Sequence, residues 1–166
     1  MNRYYRRQEN GMDFHKADMA EIERLRNIAH QSEAHWGYDA AFMNIFEERF
    51  NITREFLQHN PVYAGTIGNE IVGFWGMQDV DTDCPELEYF YIASEYLNRG
   101  LGKWMWLNLT AWCKDNGVAA FEFVTSPQAV GFYEKMGAAV VGERRSSIDG
   151  RMIPLLEYRQ RLIPSD

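Results

Sequence analysis

The stretch Leu97-Asn98-Arg99-Gly100-Leu101-Gly102-Lys103 constrains this sequence most. It lies between an apolar run, Leu87 to Ile92, and a long segment of helical character that begins near Gly102. Two glycines two residues apart at a strand-to-helix junction predict a tight turn with bare backbone. The helix beyond it opens with unpaired N–H groups at the positive end of its dipole. That arrangement favours an anion, most often a phosphate, and Arg99 and Lys103 add positive charge there. Taken alone, the glycines leave two readings open: a phosphate cradle, or a loop that they merely shape.

Spacing narrows the choice. A Walker A loop ends in Gly-Lys followed by Ser or Thr, and here Trp104 follows Gly102-Lys103. A dinucleotide fingerprint requires a third glycine where this chain has Met105. The flanking pattern predicts the remaining elements. Met12 to His15 reads as a short strand. Asp18 caps a helix with Ile22, Leu25, Ile28 and Ala29 on one face, and Asp39 caps a second with Phe42, Ile45, Phe46 and Phe50. Thr53 starts a third, which Asn60-Pro61 ends. Val62 to Thr66 and Ile71 to Val80 are predicted strands around a turn at Gly68-Asn69, followed by a polar loop to Pro85. After the strand to Ile92, the helix from Gly102 runs to Asn116, with Gly117 as its C-cap. A strand at Val118 to Val124, a helix at Pro127 to Met136, and two strands, Ala139 to Arg145 and Met152 to Gln160, complete the order. This mixed order predicts an α/β (α+β) fold, a mixed, mostly antiparallel sheet of about seven strands flanked by helices.

Composition bounds the function. With 166 residues, 46% of them hydrophobic, the chain is long enough for one substantial core, so residues 11–166 are read as a single domain and residues 1–10 as a disordered polar tail. A formal net charge of −7 argues against a nucleic-acid partner. No apolar run approaches a membrane span, and the polar start carries no apolar signal core. Two cysteines, Cys84 and Cys113, do not make a disulfide framework, and the four histidines follow no metal-ligand pattern. The expectation is a reduced, cytoplasmic protein, monomer or homodimer, with no metal, no nucleic acid and no membrane.

The glycine stretch resembles the acetyl-coenzyme A loop of the GNAT superfamily of N-acyltransferases, Gln/Arg-x-x-Gly-x-Gly/Ala between the fourth strand and the next helix. Leu97 stands where that pattern has Gln or Arg. A second segment, Ser126-Pro127-Gln128-Ala129-Val130-Gly131-Phe132-Tyr133-Glu134-Lys135-Met136-Gly137-Ala138, is similar to the family's Asn-x-x-Ala-x-x-Phe-Tyr-Glu-Lys-x-Gly-Phe, with Ser126 for Asn and Ala138 for Phe. The element order is also that of the family. The resemblance covers most of the chain and is strongest from Glu86 to Met136. It implies acetyl-CoA as acyl donor, with the pyrophosphate over Asn98, Arg99, Gly100, Leu101, Gly102 and Lys103. It also implies that Ser126, Ala129 and Phe132 border the coenzyme, and that Tyr133 points at its sulfur. The residues alone allow Tyr133 to be an ordinary core aromatic beside Phe132.

Acyl transfer from a thioester to an amine needs a neutral amine, a polarised carbonyl and a protonated leaving sulfur. An alkylammonium titrates near ~10, so its proton must be accepted in the site. Glu86 and Glu88 share one face of the strand before the loop, and Glu122 lies on the next strand. Each of the three is a candidate base, with Glu88 preferred, and each could equally be a solvent-facing or paired carboxylate. The exposed backbone of Phe90, Tyr91 and Ile92 can pair with the pantetheine arm as an added strand would, and a backbone N–H near Ile92 can hold the thioester oxygen. The resemblance places an acceptor pocket around His35, Trp36 and Tyr38, whose aromatics could also simply pack a helix connection. The expected activity is N-acetylation of an amine-bearing small molecule or peptide. A non-catalytic acyl-CoA-binding or sensing module on the same fold is the alternative.

Overall fold

Short polar side chains start the helices where the sequence places them. In the computed structural model, which describes residues 11–161, Asp18 accepts from the Ala20 N–H while Glu21 accepts from the Asp18 N–H, a reciprocal cap. Asp39 accepts from Phe42 N–H at 2.8 Å, and Thr53 from Phe56 N–H at 3.0 Å. The elements are β1 (Met12–Lys16), α1 (Ile22–Ala34), α2 (Ala40–Ile45), α3 (Arg54–His59), β2 (Val62–Ile67), β3 (Glu70–Gln78), β4 (Glu86–Ile92), α4 (Leu101–Asp115), β5 (Ala120–Val124), α5 (Val130–Lys135), β6 (Ala139–Arg145) and β7 (Met152–Arg159). The tail expected at residues 1–10 lies outside the described residues.

Several boundaries differ from the sequence reading, each for a local reason. A tight turn at Met19–Glu21 precedes α1, and another at Pro127–Ala129 precedes α5. The second helix ends at Ile45 and widens into a π-type turn, Phe46–Phe50. That turn leaves the Glu47 carbonyl able to accept from Arg26 on α1 at 3.3 Å. β3 stops at Gln78 because Asp79 turns to a positive φ of 55°. Val118 belongs to the C-cap of α4: with Gly117 left-handed, the Val118 N–H closes on Cys113 O at 2.9 Å.

The sheet order is β1-β2-β3-β4-β5-β7-β6, antiparallel throughout except for the parallel β4–β5 pair. Each face carries its own core. On one, Trp75, Met105, Trp106, Leu109, Phe121 and Phe123 pack under α4 and α5. On the other, Leu25, Ile28, Phe46, Ile52, Leu57 and Phe74 pack under α1 to α3. The buried stripe of α1 is the predicted one, Ile22, Leu25, Ile28 and Ala29. Among the described residues no helix is long and apolar enough to cross a membrane.

The β3–β4 pair is tight where it matters. A Cβ on Gly73 would sit 2.7 Å from Tyr91 O, 2.9 Å from Ile92 Cδ1 and 3.3 Å from Met105 Sδ. A backbone oxygen cannot step aside as a side chain can, so the strands must shift. Gly73→Ala should lose about 1–3 kcal/mol, seen as a thermal midpoint several degrees lower. Gly142→Ala, whose Cβ meets nothing within 4 Å on edge strand β6, should melt with wild type. Equal melting of the two variants would show that β3 and β4 are looser than described.

Candidate active site

β4 and β5 part company almost at once. They pair in register only at Glu86↔Glu122, with the Glu122 N–H reaching Pro85 O at 3.0 Å. Tyr133 from α5 spans the widening gap, its ring 5.8 Å from Phe90 on β4 and 4.7 Å from Phe123 on β5. On its other edge β4 pairs with β3 from Tyr89 through Ile92, and the Ala93 N–H donates to Val72 O at 2.8 Å. Antiparallel ladders alternate, so the N–H groups of Phe90 and Ile92 point away from β3, into the gap. A row of backbone groups therefore faces a cleft of ≈ 820 Å³.

The glycine loop borders the same cleft, where Asn98, Gly100, Leu101, Gly102 and Lys103 all contribute. Asn98 and Gly100 are left-handed, at φ 63° and 76°, and nothing stands within 4 Å of the space a Gly100 Cβ would enter. Gly102 is needed for a different reason, since a Cβ there would meet the Phe132 ring at 3.0 Å. The loop thus packs on α5 through one glycine and leaves open space at the other, directly before the N-terminus of α4. Arg99 is drawn aside, its guanidinium 5.1 Å over the Tyr96 ring.

The three candidate carboxylates have different surroundings. Arg144, arriving from β6, pairs with Glu86 at 2.9 Å and approaches Glu122 at 3.8 Å. Glu122 lies outside the cleft lining, and the Cys84 thiol donates to it at 3.8 Å. Glu88 lines the cleft and has no cation within ion-pair distance among the described residues; its hydrogen-bond donor is Gln78 Nε2 at 3.1 Å. It is also the extra residue of a bulge, because Gly76 faces Tyr89 and Met77 faces Leu87, leaving Glu88 without a partner on β3. Burial first, and the neighbouring Glu86 charge second, push the Glu88 carboxyl up to about 7, against the weaker opposing pull of Arg144.

Tyr133 is buried, lines the cleft and shares a hydrogen bond with the Thr125 side chain. Burial raises its phenol well above the ordinary value, so the proton stays on the oxygen. Ser126, Ala129 and Phe132 lie on the same wall. His35, Trp36 and Tyr38 also line the cleft, together with Phe42, Phe46 and Phe50. Tyr38 stacks on Phe42 at 3.9 Å, and the Arg151 guanidinium, from the β6–β7 hairpin, lies 5.4 Å from the Tyr38 ring centroid.

Residues 20–138 match the acetyltransferase (GNAT) family. The chain belongs to that family. A curated protein of Bacillus subtilis (strain 168), assigned by name to the acetyltransferases, is 35% identical over 85 residues, 51% of this chain and 52% of its own length. The chain therefore spans about half the length of the curated relative it matches. The fold is shared with the PaiA N-acetyltransferase of Thermoplasma acidophilum in complex with coenzyme A (TM-score 0.74, 16% identity, 90% of this chain and 99% of that one). It is shared too with a GNAT acetyltransferase of Elizabethkingia anophelis with acetyl-CoA bound (TM-score 0.65, 15% identity, 92% and 100%).

Reading the GNAT chain by motif and strand spacing missed residues that line the cleft from elsewhere. Ser32 and Glu33, at the end of α1, are two of them: Ser32 Oγ donates to Ile92 O at 2.9 Å, and Glu33 accepts from the Tyr91 hydroxyl at 2.7 Å. Arg144, Ile148 and Arg151 from the β6–β7 hairpin are others. A signal existed for the first pair, since Ser32 and Glu33 follow Ile28 and Ala29 by four residues, on the stripe of α1 that faces the sheet.

The state of Glu88 in this GNAT fold affects its stability. Its carboxyl titrates at about 7 when folded against an ordinary 4.5. Between those values the folded chain holds a proton that the unfolded chain has released, so stability falls as pH rises through that window. Glu88→Gln removes the effect. Thermal midpoints at pH 5 and pH 8 should drop less in the variant than in wild type. An identical drop in both would mean that Glu88 is not desolvated.

Proposed function

We propose that this GNAT chain is a cytoplasmic N-acetyltransferase that moves the acetyl group of acetyl-CoA onto a primary amine of a small molecule or peptide, by direct attack with both substrates bound. The observation that supports it most is Glu88: a carboxylate without a cationic partner, titrating at about 7, beside the free backbone edge of β4.

In this reading the β4 edge pairs with the pantetheine amides through Phe90 to Ile92, and the left-handed loop from Asn98 with the first turn of α4 receives the pyrophosphate. Lys103 supplies charge there. The Ile92 N–H, pointing into the gap, donates to the thioester oxygen as negative charge builds on it. Glu88 accepts the ammonium proton, directly or through a water, and its raised value keeps it a competent base near neutral pH. Glu86 is engaged by Arg144 at 2.9 Å, and Glu122 does not line the cleft. Tyr133, protonated, donates to the departing sulfur. Since a thiol titrates near ~8.5, that donation assists the reaction without being essential to it.

The test is thiol release with acetyl-CoA and an amine panel. In wild type, kcat/KM should rise with pH to a plateau above about 7. Glu88→Gln should remove that limb and lower the plateau by ~10²–10⁴, leaving coenzyme affinity intact. Retention of the limb in Glu88→Gln would rule out Glu88 as the base, and coenzyme binding without thiol release on any amine would leave a sensing module instead.

Tyr133→Phe separates the acid role from packing. Coenzyme affinity should stay within a few-fold while turnover falls, near the low end of ~10²–10⁴ because the thiolate leaves readily. Wild-type turnover, with chemistry shown to be rate-limiting, would return Tyr133 to the aromatic core.

A further inference from the structure

Glu33 has no role in the mechanism above, yet it is a cleft carboxylate with unusual surroundings. It comes from the last turn of α1 and lines the cleft. One oxygen, Oε1, accepts from the Tyr91 hydroxyl at 2.7 Å. The other, Oε2, has no partner among the described residues and is not sealed in protein, so it is open to the cleft. Among the described residues no Lys, Arg or His lies within ion-pair distance of it. Burial pushes its carboxyl above the ordinary value, partly offset by the Tyr91 bond, so the charged form is short of partners. Its partner Tyr91 follows Phe90 on β4, and the Phe90 ring lies 5.8 Å from that of Tyr133. The wall beside it is aromatic, formed by Trp36, Tyr38, Phe42, Phe46 and Phe50.

A half-satisfied carboxylate with an open oxygen beside aromatic faces suits a cation on an apolar stem. The attacking amine cannot be that cation throughout, because it must become neutral at Glu88. Resting on the acetyltransferase reading, we propose that Glu33 is a specificity-determining residue that binds a second cationic group of the acceptor, so that the preferred substrate is an alkylamine with two cationic centres separated by an apolar spacer. Glu33 holds the end that keeps its charge, Tyr91 fixes the carboxylate's orientation, and the aromatic wall covers the spacer. The proton leaves from the other nitrogen.

The experiment compares 1,4-diaminobutane with 4-aminobutan-1-ol, which has the same length with a hydroxyl in place of one ammonium, on wild type, Glu33→Gln and Glu33→Asp. A charge-assisted contact of this kind corresponds to about tenfold or more. Wild type should favour the diamine by at least that factor in kcat/KM. Glu33→Gln should abolish the preference by raising the diamine KM, with kcat, the acetyl-CoA KM and both constants for the amino alcohol within about twofold, while Glu33→Asp restores part of it. Equal activity of wild type on both acceptors, or a matching fall in kcat on both in Glu33→Gln, overturns the proposal, the second by making Glu33 a base. Equilibrium binding of the two amines to the coenzyme A-loaded protein reads the same preference without turnover. Glu33-dependent diamine binding with no thiol release keeps this inference and defeats the acetyltransferase reading. Thiol release with no diamine preference does the reverse.

Discussion

The separation of β4 from β5 governs this structure. A parallel pair held in register at one point, Glu86↔Glu122, leaves the rest of two strand edges without each other. Buried backbone groups left unpaired are costly, so such a gap persists only if something holds it and something else can fill it. Tyr133 does the first, as its ring contacts both strands. Below it Trp106 packs on Phe90, Phe123 and Tyr133 at 5.7 to 6.0 Å, fixing the wedge to α4. In the reading proposed above, an extended amide chain does the second, since it offers the donors and acceptors that β5 would have supplied. The aromatic core and the open edge of β4 meet at Tyr133.

Electrostatics then select among carboxylates that the strand pattern treats alike. Arg144 pairs with Glu86 at 2.9 Å and lies 3.8 Å from Glu122. Glu88, displaced by the bulge, receives an amide donor, the raising field of its neighbour Glu86 and a weaker opposing pull from Arg144. One arginine on the edge strand β6 thus pairs with two of the acids and leaves the third without an ion pair. The division needs no contact between Arg144 and Glu88, only its engagement elsewhere.

The helices, their caps and the order of strands were legible because they follow local rules. Asp18, Asp39 and Thr53 cap as their side chains dictate, and the apolar stripe of α1 has helical spacing. The glycine loop was legible for the same reason, and Leu97 in place of Gln or Arg matters little to its shape, because the turn is made by the backbone at Asn98 and Gly100. The bulge and the parting of β4 and β5 were not legible. Both depend on which strand lies alongside, and a two-residue period says nothing of its partner's register. Alternation suggested that Glu86 and Glu88 share one face, and both do reach Gln78 Nε2, at 3.4 and 3.1 Å. What separates them, Arg144, is 58 residues from Glu86 in sequence. Glu33 was hidden differently: a polar residue at a helix end reads as solvent-facing unless the stripe is followed to its last turn.

The two halves of the cleft are built from different kinds of element. One half rests on β4, paired with β3, and on the long helix α4. The other rests on short α2, the π-type turn after it and the tip of the β6–β7 hairpin, which meets it through Arg151 over Tyr38 and Ile148 against the apolar cluster. That second wall joins segments more than a hundred residues apart, Tyr38 and Arg151, so it exists only once the whole sheet has formed, whereas the first wall follows from β4 and the helix next to it in sequence.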